Sequence, residues 1–235
     1  MNARFMWRAL KARWRDQRAE LSIIGGHVRP GDTVCDVGAH KGSYIYWLSR
    51  WVGSAGRVFA FEPQPSLAAY LRQVAPRHNV VIEQKALWSG SGVLGLSIPA
   101  INSPGASLVT HAPGGTRLQV PVVALDDYFP REQHVSLIKI DAEGAELEIF
   151  RGARRILSEK RPWLVFECET RHLAETTVED VFRFLDRLGY DGFFFKRGSL
   201  HPVSAFDPAI HQRQSGPRFW DHPDYCNNFL FKPRG

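Results

Sequence analysis

Asp36, Glu62, Asp141 and Glu167 each close a short apolar run, and further acids and a histidine follow the last two: Glu143 and Glu146 after Asp141, Glu169 and His172 after Glu167. Carboxylates in this number can hold a cation, accept ribose hydroxyls or take a proton from a reacting hydroxyl. They act together only if the chain brings them to one place. Parallel strands do this, because they deliver their last residues to a single edge of a sheet.

The stretch Asp36-Val37-Gly38-Ala39-His40-Lys41-Gly42-Ser43-Tyr44 sets the kind of ligand. An apolar strand ending in an acid and two glycines lets backbone N–H groups and a helix N-terminus face a ligand at close range. The spacing is Asp-x-Gly-x-x-x-Gly, whereas dinucleotide sites carry G-x-G-x-x-G. Asp36 would repel a pyrophosphate; it suits a ligand with a cationic amino group, such as the methionine end of S-adenosylmethionine. The competing reading is an ordinary strand-to-helix turn. Glu62 lies beyond Gly38 at the end of a second apolar run, where an acid can accept both hydroxyls of a ribose.

The elements that must position these groups alternate strand and helix. Strands are expected over 33–37, 58–62, 79–83, 135–140, 163–167, 192–196 and 228–232, with helices over 44–51, 65–74, 147–157 and 178–188. Residues 85–88 continue from the third strand toward the pocket. Residues 89–121 are rich in Gly, Ser and Pro with alternating pieces at 93–98 and 117–123, which reads as a β-ribbon insertion. A short helix starts at Leu125 with Asp126 as its cap. Residues 197–226, with four prolines and three histidines, read as a lid or acceptor-binding loop. The domain reading is a basic amphipathic region over 1–30 and one α/β domain over 31–235.

Composition removes several classes of function. The net charge is +6, but Arg4, Arg8, Lys11, Arg13, Arg15 and Arg18 against Asp16 and Glu20 place +4 in the first 20 residues, leaving +2 for the rest. The body is no basic nucleic-acid platform. Ala3, Trp7, Leu10, Trp14 and Leu21 fall at helical spacing in the basic segment, so this helix either packs on the domain or touches an anionic membrane or polymer. The three cysteines lack metal or disulfide spacing, which points to a reducing, cytoplasmic setting. No apolar run is long enough to span a membrane.

Asp36 to Tyr44, Phe61-Glu62-Pro63-Gln64-Pro65, Lys85-Ala86-Leu87, Leu125-Asp126-Asp127-Tyr128, Ile138-Lys139-Ile140-Asp141-Ala142-Glu143-Gly144-Ala145-Glu146 and Gly152-Ala153 together resemble the FkbM family of S-adenosylmethionine-dependent methyltransferases. The resemblance runs from Val34 to Glu167. It departs at His40, where Asn is common, and at Trp88-Ser89-Gly90, where a small-acidic turn is more usual. It implies a class I methyltransferase fold, Rossmann-like, with a seven-stranded sheet, helices on both faces and a reversed last strand. It further implies O-methylation of a sugar, glycolipid or natural product, with a small-molecule or glycan acceptor; a nucleic-acid methyltransferase, the alternative on the same fold, is disfavoured by the lack of a basic patch on the body. By position, Asp36, Gly38, Ala39, Gly42 and Tyr44 would surround the methionine part, Glu62 the ribose, Ala86 and Leu87 the adenine, and Asp141 the sulfonium. Asp141 and then His172 are the candidates for the catalytic base. A divalent ion on Asp141, Glu143 and Glu167 is a rival arrangement, and a non-catalytic scaffold that binds the cofactor is a rival to enzyme function.

Overall fold

A computed structural model describes residues 2–76, 78–99, 105–111 and 113–235. Its centre is an eight-stranded sheet built from β1 (Thr33–Val37), β2 (Arg57–Phe61), β3 (Val80–Glu83), β7 (Leu137–Ile140), β8 (Trp163–Glu167), β9 (Tyr190–Lys196), β10 (Ser199–Pro202) and β11 (Asn228–Pro233), in the order β10-β9-β11-β8-β7-β1-β2-β3. Strands β1, β2, β3, β7 and β8 are parallel, and β11 runs against both β8 and β9. The reversed last strand therefore stands as expected. The eighth strand, β10, was not expected: it folds back on β9 as a hairpin at the sheet edge, pairing Ser199 with Lys196.

Strand alternation divides the core. Cys35, Val37, Ile138, Ile140, Leu164 and Phe166 face helices α6 (Glu146–Arg151), α7 (Arg154–Glu159) and α8 (Val178–Arg187). Val34, Val58, Leu137 and Val165 face α2 (Arg18–His27) and α3 (Ile45–Val52) on the other side. Helix α4 (Pro65–Val74) lies where its sequence put it, with proline in the first turn. The class I arrangement places β1 at the point where the chain changes direction across the sheet, between β2 and β7.

Four local expectations change. The helix expected over 147–157 breaks into α6 and α7 at Gly152 and Ala153; Gly152 lies against the carbonyl of Trp88, where a Cβ would come within 2.1 Å of the oxygen. Residues 85–88 do not extend the main sheet: β4 (Ala86–Leu87) leaves it and pairs in parallel with β6 (Thr116–Val123), which pairs antiparallel with β5 (Gly92–Ile98). This small second sheet is the insertion, and residues 100–104 and 112 within it lie outside the described residues. Asp126 sits in α5 (Leu125–Tyr128) but does not cap it; its carboxylate accepts from Arg155 N–H at 2.7 Å and Ile156 N–H at 3.0 Å, capping α7 instead. Finally, 197–226 has its own structure, including α9 (Pro208–His211). Gln212 ties it down by donating to the carbonyls of Cys168 and Cys226 and accepting from Thr170.

The N-terminal segment forms α1 (Ala3–Lys11), a π turn (Ala12–Asp16) and α2. Its inward face is Phe5, Ala9, Ala12, Leu21 and Ile24, all buried. Of the apolar set named from spacing, only Leu21 points inward; Trp7, Leu10 and Trp14 point to solvent. The smaller residues fit against Ile45, Tyr46 and Leu71, and the indole N–H of Trp47 donates to Ala9 carbonyl at 2.8 Å, fixing the helix rotation.

Candidate active site

The parallel strands end together, and two cavities open above their carboxyl edge. The first encloses about 690 Å³ including its mouth and is lined by Gly38, His40, Glu62, Gln64, Ala86, Leu87, Leu96, Ala106, Leu108, Asp141, Ala142 and Ile149, among others. The second, of about 650 Å³ measured in the same way, is lined by Asp16, Gln17, Tyr44, Lys139, Asp141, Glu167, Trp220, Asn227 and Asn228, among others. Asp141 belongs to both.

Glycine is required at the turn after β1. Gly38 has φ of +72°, and a Cβ there would lie 1.8 Å from the carbonyl oxygen of Asp141. The N–H groups of Gly38 and Ala39 donate to the carbonyl of Phe61 at 3.0 and 3.1 Å, so the turn spends these donors on β2 rather than presenting them to a ligand. His40 has φ of +46°, in the left-handed region that Asn and His tolerate better than most residues, which accounts for histidine at a position where Asn is common. Its N–H donates to Glu62 at 2.7 Å, and Gln64 N–H donates to the other carboxylate oxygen at 2.9 Å. Glu62 is thus locked in one orientation, and each oxygen keeps a lone pair for the cavity. Burial pushes its pKa up to about 7 against those two hydrogen bonds.

A buried charge cluster joins the two cavities. Register places Lys139 beside Asp36 on adjacent strands, and strand alternation puts Lys139 and Asp141 on one face. Lys139 Nζ lies 3.8 Å from Asp36, 3.5 Å from Asp141 and 4.7 Å from the Tyr44 ring centre. Burial acts to lower the Lys139 pKa, but Asp141, Asp36 and Glu167 outweigh it and hold it above the ordinary lysine value. Burial also lifts Asp36 to about 6, with Lys139 opposing. Neither oxygen of Asp36, nor Gln17 Oε1, has a hydrogen-bond partner among the described residues. With two acids to one lysine, the cluster retains negative charge at the floor of the cleft.

Glu167, by sequence a strand end and a metal candidate, lines the second cavity. Burial, Asp141 and the neighbouring Glu169 push its pKa well above the carboxylate range. Glu169 goes the other way: burial would lift it, but the bidentate Arg171 guanidinium at 2.7 and 2.8 Å, together with Glu167 and Tyr225, holds it down to about 2. Asn227 donates to Glu167 at 2.7 Å and to Glu169 at 3.2 Å, bracing the pair.

The structure does not bring every expected residue to the cavities. Asp36 is buried behind the wall and acts on the site through its charge. Ala39 packs in the core, and Gly42 is pressed against Phe5 and Leu71, where a Cβ would approach their side chains to 2.7 and 2.9 Å. Tyr44 faces the second cavity, not the first. His172 lines neither; its Nε2 lies 2.7 Å from Glu143, and its carbonyl packs on Gly144. Burial would lower the His172 pKa, but Glu143 holds it up, and the ring is paired with Glu143 away from both cavities. Among the described residues no group of three or more His, Cys, Asp or Glu side chains is placed to hold a metal ion. Sequence reasoning missed Gln17, Trp220, Asn227 and Asn228, whose only signal was proximity to the last strand or to the first helix.

Comparison with known proteins then fixes the family. The model of the methyltransferase FkbM domain matches residues 36–191. The chain belongs to the FkbM methyltransferase family. The crystal structure of methyltransferase FkbM from Methylobacillus flagellatus KT matches with a TM-score of 0.55 and 16% identity, over 96% of this chain and 53% of that one. This FkbM methyltransferase therefore spans about half the length of that relative. Fibrillarin from Aeropyrum pernix, in complex with natively bound S-adenosyl-L-methionine, matches with a TM-score of 0.50 and 13% identity, over 92% of this chain and 74% of fibrillarin. At such identities the likeness concerns the fold. No curated protein matches the chain.

Membership of the FkbM methyltransferase family implies S-adenosylmethionine as cofactor, and the first cavity fits it. Glu62 is buried with lone pairs toward the cavity, as a ribose requires. Ala86, Leu87, Leu96 and Ile149 give apolar walls for a flat ring. The excess negative charge around Asp36, Asp141 and Lys139 suits a sulfonium and an ammonium.

Proposed function

We propose that this methyltransferase transfers a methyl group to a hydroxyl of a sugar, glycolipid or natural product, with the cofactor in the first cavity and the acceptor in the second. The observation that carries this reading is the placement of Asp141 in both cavities, beside a cleft where Glu167 is a carboxylate of raised pKa. Bound cofactor supplies a methyl group activated on a sulfonium. The chain's own work is alignment and proton acceptance. Asp141, fixed by Lys139, orients the acceptor hydroxyl, and Glu167 takes its proton, because a base with raised pKa accepts a proton near neutral pH more readily than an ordinary carboxylate. Trp220 offers a face on which a sugar ring can stack, and Asn228 offers amide groups for its other hydroxyls. The near-neutral body speaks against a nucleic-acid acceptor.

The test is transfer of labelled methyl from S-adenosylmethionine to glycan, lipid, small-metabolite and nucleic-acid fractions. Label is expected in the first three classes, and Asp141→Asn and Glu167→Gln should each reduce it by about 100-fold or more. Glu167→Gln should leave cofactor affinity within about twofold, since Glu167 lies outside the first cavity. Transfer by wild type should rise with pH as Glu167 ionises. Label confined to nucleic acid, or transfer indifferent to both substitutions, would overturn the proposal.

A further inference from the structure

The face of α1 that turns away from the core is left uncovered. Trp7 is 63% exposed and Trp14 70%, with Leu10 at 40% between them. Large apolar side chains standing together in water mark a surface that something covers. Ala3, Trp7 and Leu10 share one side of α1 by spacing, and the π turn carries Trp14 onward. The flanks are cationic. Lys11 Nζ lies 5.7 Å from the Trp7 ring centre and the Arg13 guanidinium 5.9 Å from that of Trp14. Arg4, Arg15 and Arg18 are exposed, and Asp16 is the one acid in 2–18, shared by Lys11 at 3.0 Å and Arg15 at 2.7 Å.

An aromatic stripe edged by arginine and lysine matches a lipid surface: indoles settle at the headgroup level, and guanidinium groups meet lipid phosphates. A second copy is a poorer occupant, since symmetric pairing would set two basic faces together. We propose that this face docks on an anionic lipid bilayer, with Trp7, Leu10 and Trp14 entering the headgroup region and Arg4, Arg13 and Arg18 meeting its phosphates. The same segment runs on into the second cavity, which Asp16 and Gln17 line opposite the half-exposed Trp220. A docked protein therefore holds that cleft at the membrane surface, where it takes a hydroxyl acceptor carried in the bilayer. This last consequence rests on the proposed function; the docking does not.

The experiment is flotation of the full chain with vesicles of phosphatidylcholine containing about one-third phosphatidylglycerol, against vesicles of phosphatidylcholine alone, at about 0.1 M salt. Wild type should float with the anionic vesicles and not with the neutral ones. Trp7→Ala/Trp14→Ala should lower anionic-vesicle binding at least about tenfold, and Arg4→Glu/Arg18→Glu should do the same with the indoles in place. Both variants change exposed side chains, so their S-adenosylmethionine affinity should equal that of wild type, which shows that they are folded. Indifference of wild type to anionic vesicles would overturn the docking, as would either variant floating like wild type. A tryptophan-dependent dimer in sedimentation velocity without vesicle binding would also overturn it. Because flotation needs no methyl acceptor, these outcomes are independent of whether the acceptor class is right.

Discussion

The two cavities share Asp141 but are assembled differently. The first takes most of its wall from short stretches at strand ends, Gly38 to His40, Glu62 to Gln64, Ala86 to Leu87 and Asp141 to Ala145. The second takes Asp16 and Gln17 from the N-terminal segment, Tyr44 from the first βα turn, Lys139 and Glu167 from two strands, and Trp220, Asn227 and Asn228 from the end of the chain. The contrast separates two kinds of information. On the proposed assignment, cofactor contacts follow from local turns, while acceptor contacts depend on which distant segments the sheet brings together. A methyltransferase can therefore keep the first and vary the second.

The sharpest way to break this division is at Lys139, which serves both sides. Lys139→Met removes the counter-charge of Asp36 and Asp141 inside the protein. Breaking a buried ion pair in this way should cost about 3–5 kcal/mol, read by urea unfolding. A loss below about 1 kcal/mol would mean that the charge cluster does not tie the cavities together.

The next effect is one of pH, and it comes from buried acids at and behind the strand ends. Asp36 is raised to about 6, and burial raises Glu62 and Glu146 to about 7. Each lies above its unfolded value, so its contribution is fully present below about pH 4 and is lost as pH rises through about 6 to 7. Glu169 has the opposite sign, but its contribution is lost only as pH falls below the usual carboxylate range toward about 2. The ligand-free protein should therefore melt at a higher temperature near pH 5 than near pH 7.5, and saturating S-adenosylmethionine, which favours the ionised acids, should narrow the gap. A ligand-free melting temperature that rises over this interval would contradict the burial of these acids.

The smallest effect tests a place outside both cavities. Asp126→Ala removes the cap that holds the Arg155 and Ile156 N–H groups and should cost about 1 kcal/mol. Cofactor affinity and transfer should be unchanged; a shift in either would mean that α7 communicates with the site.

Much of the fold was legible because burial on both faces makes parallel strands short, apolar and self-announcing. Thr33–Val37, Trp163–Glu167 and Pro65–Val74 fall where spacing puts them, and Gly38 and Glu62 lie in the cavity as the turn and strand end imply. Other features depend on contacts between distant residues. Nothing near Gly152 says that the Trp88 carbonyl will press on it, and nothing near Asp126 says that the open end of α7 lies within reach. The N-terminal helix is the clearest case: hydrophobic size favours Trp7, Leu10 and Trp14 as its inner face, but the space above Ile45 and Leu71 is closed by Phe5 and the small Ala9. The ordinary pKa of an imidazole offers His172 as a base, whereas the fold sets its ring 2.7 Å from Glu143.

The insertion has a consequence for how this protein can diversify. The insertion enters through Ala86–Leu87 and returns along Thr116–Val123, and Ala86 pairs with Val122 and Leu87 with Val123, so its two ends stand side by side. Leu96, Ala106 and Leu108 meanwhile reach the roof of the first cavity. The insertion is thus a cassette that can be exchanged between homologues as one piece, carrying a new roof to an unchanged floor.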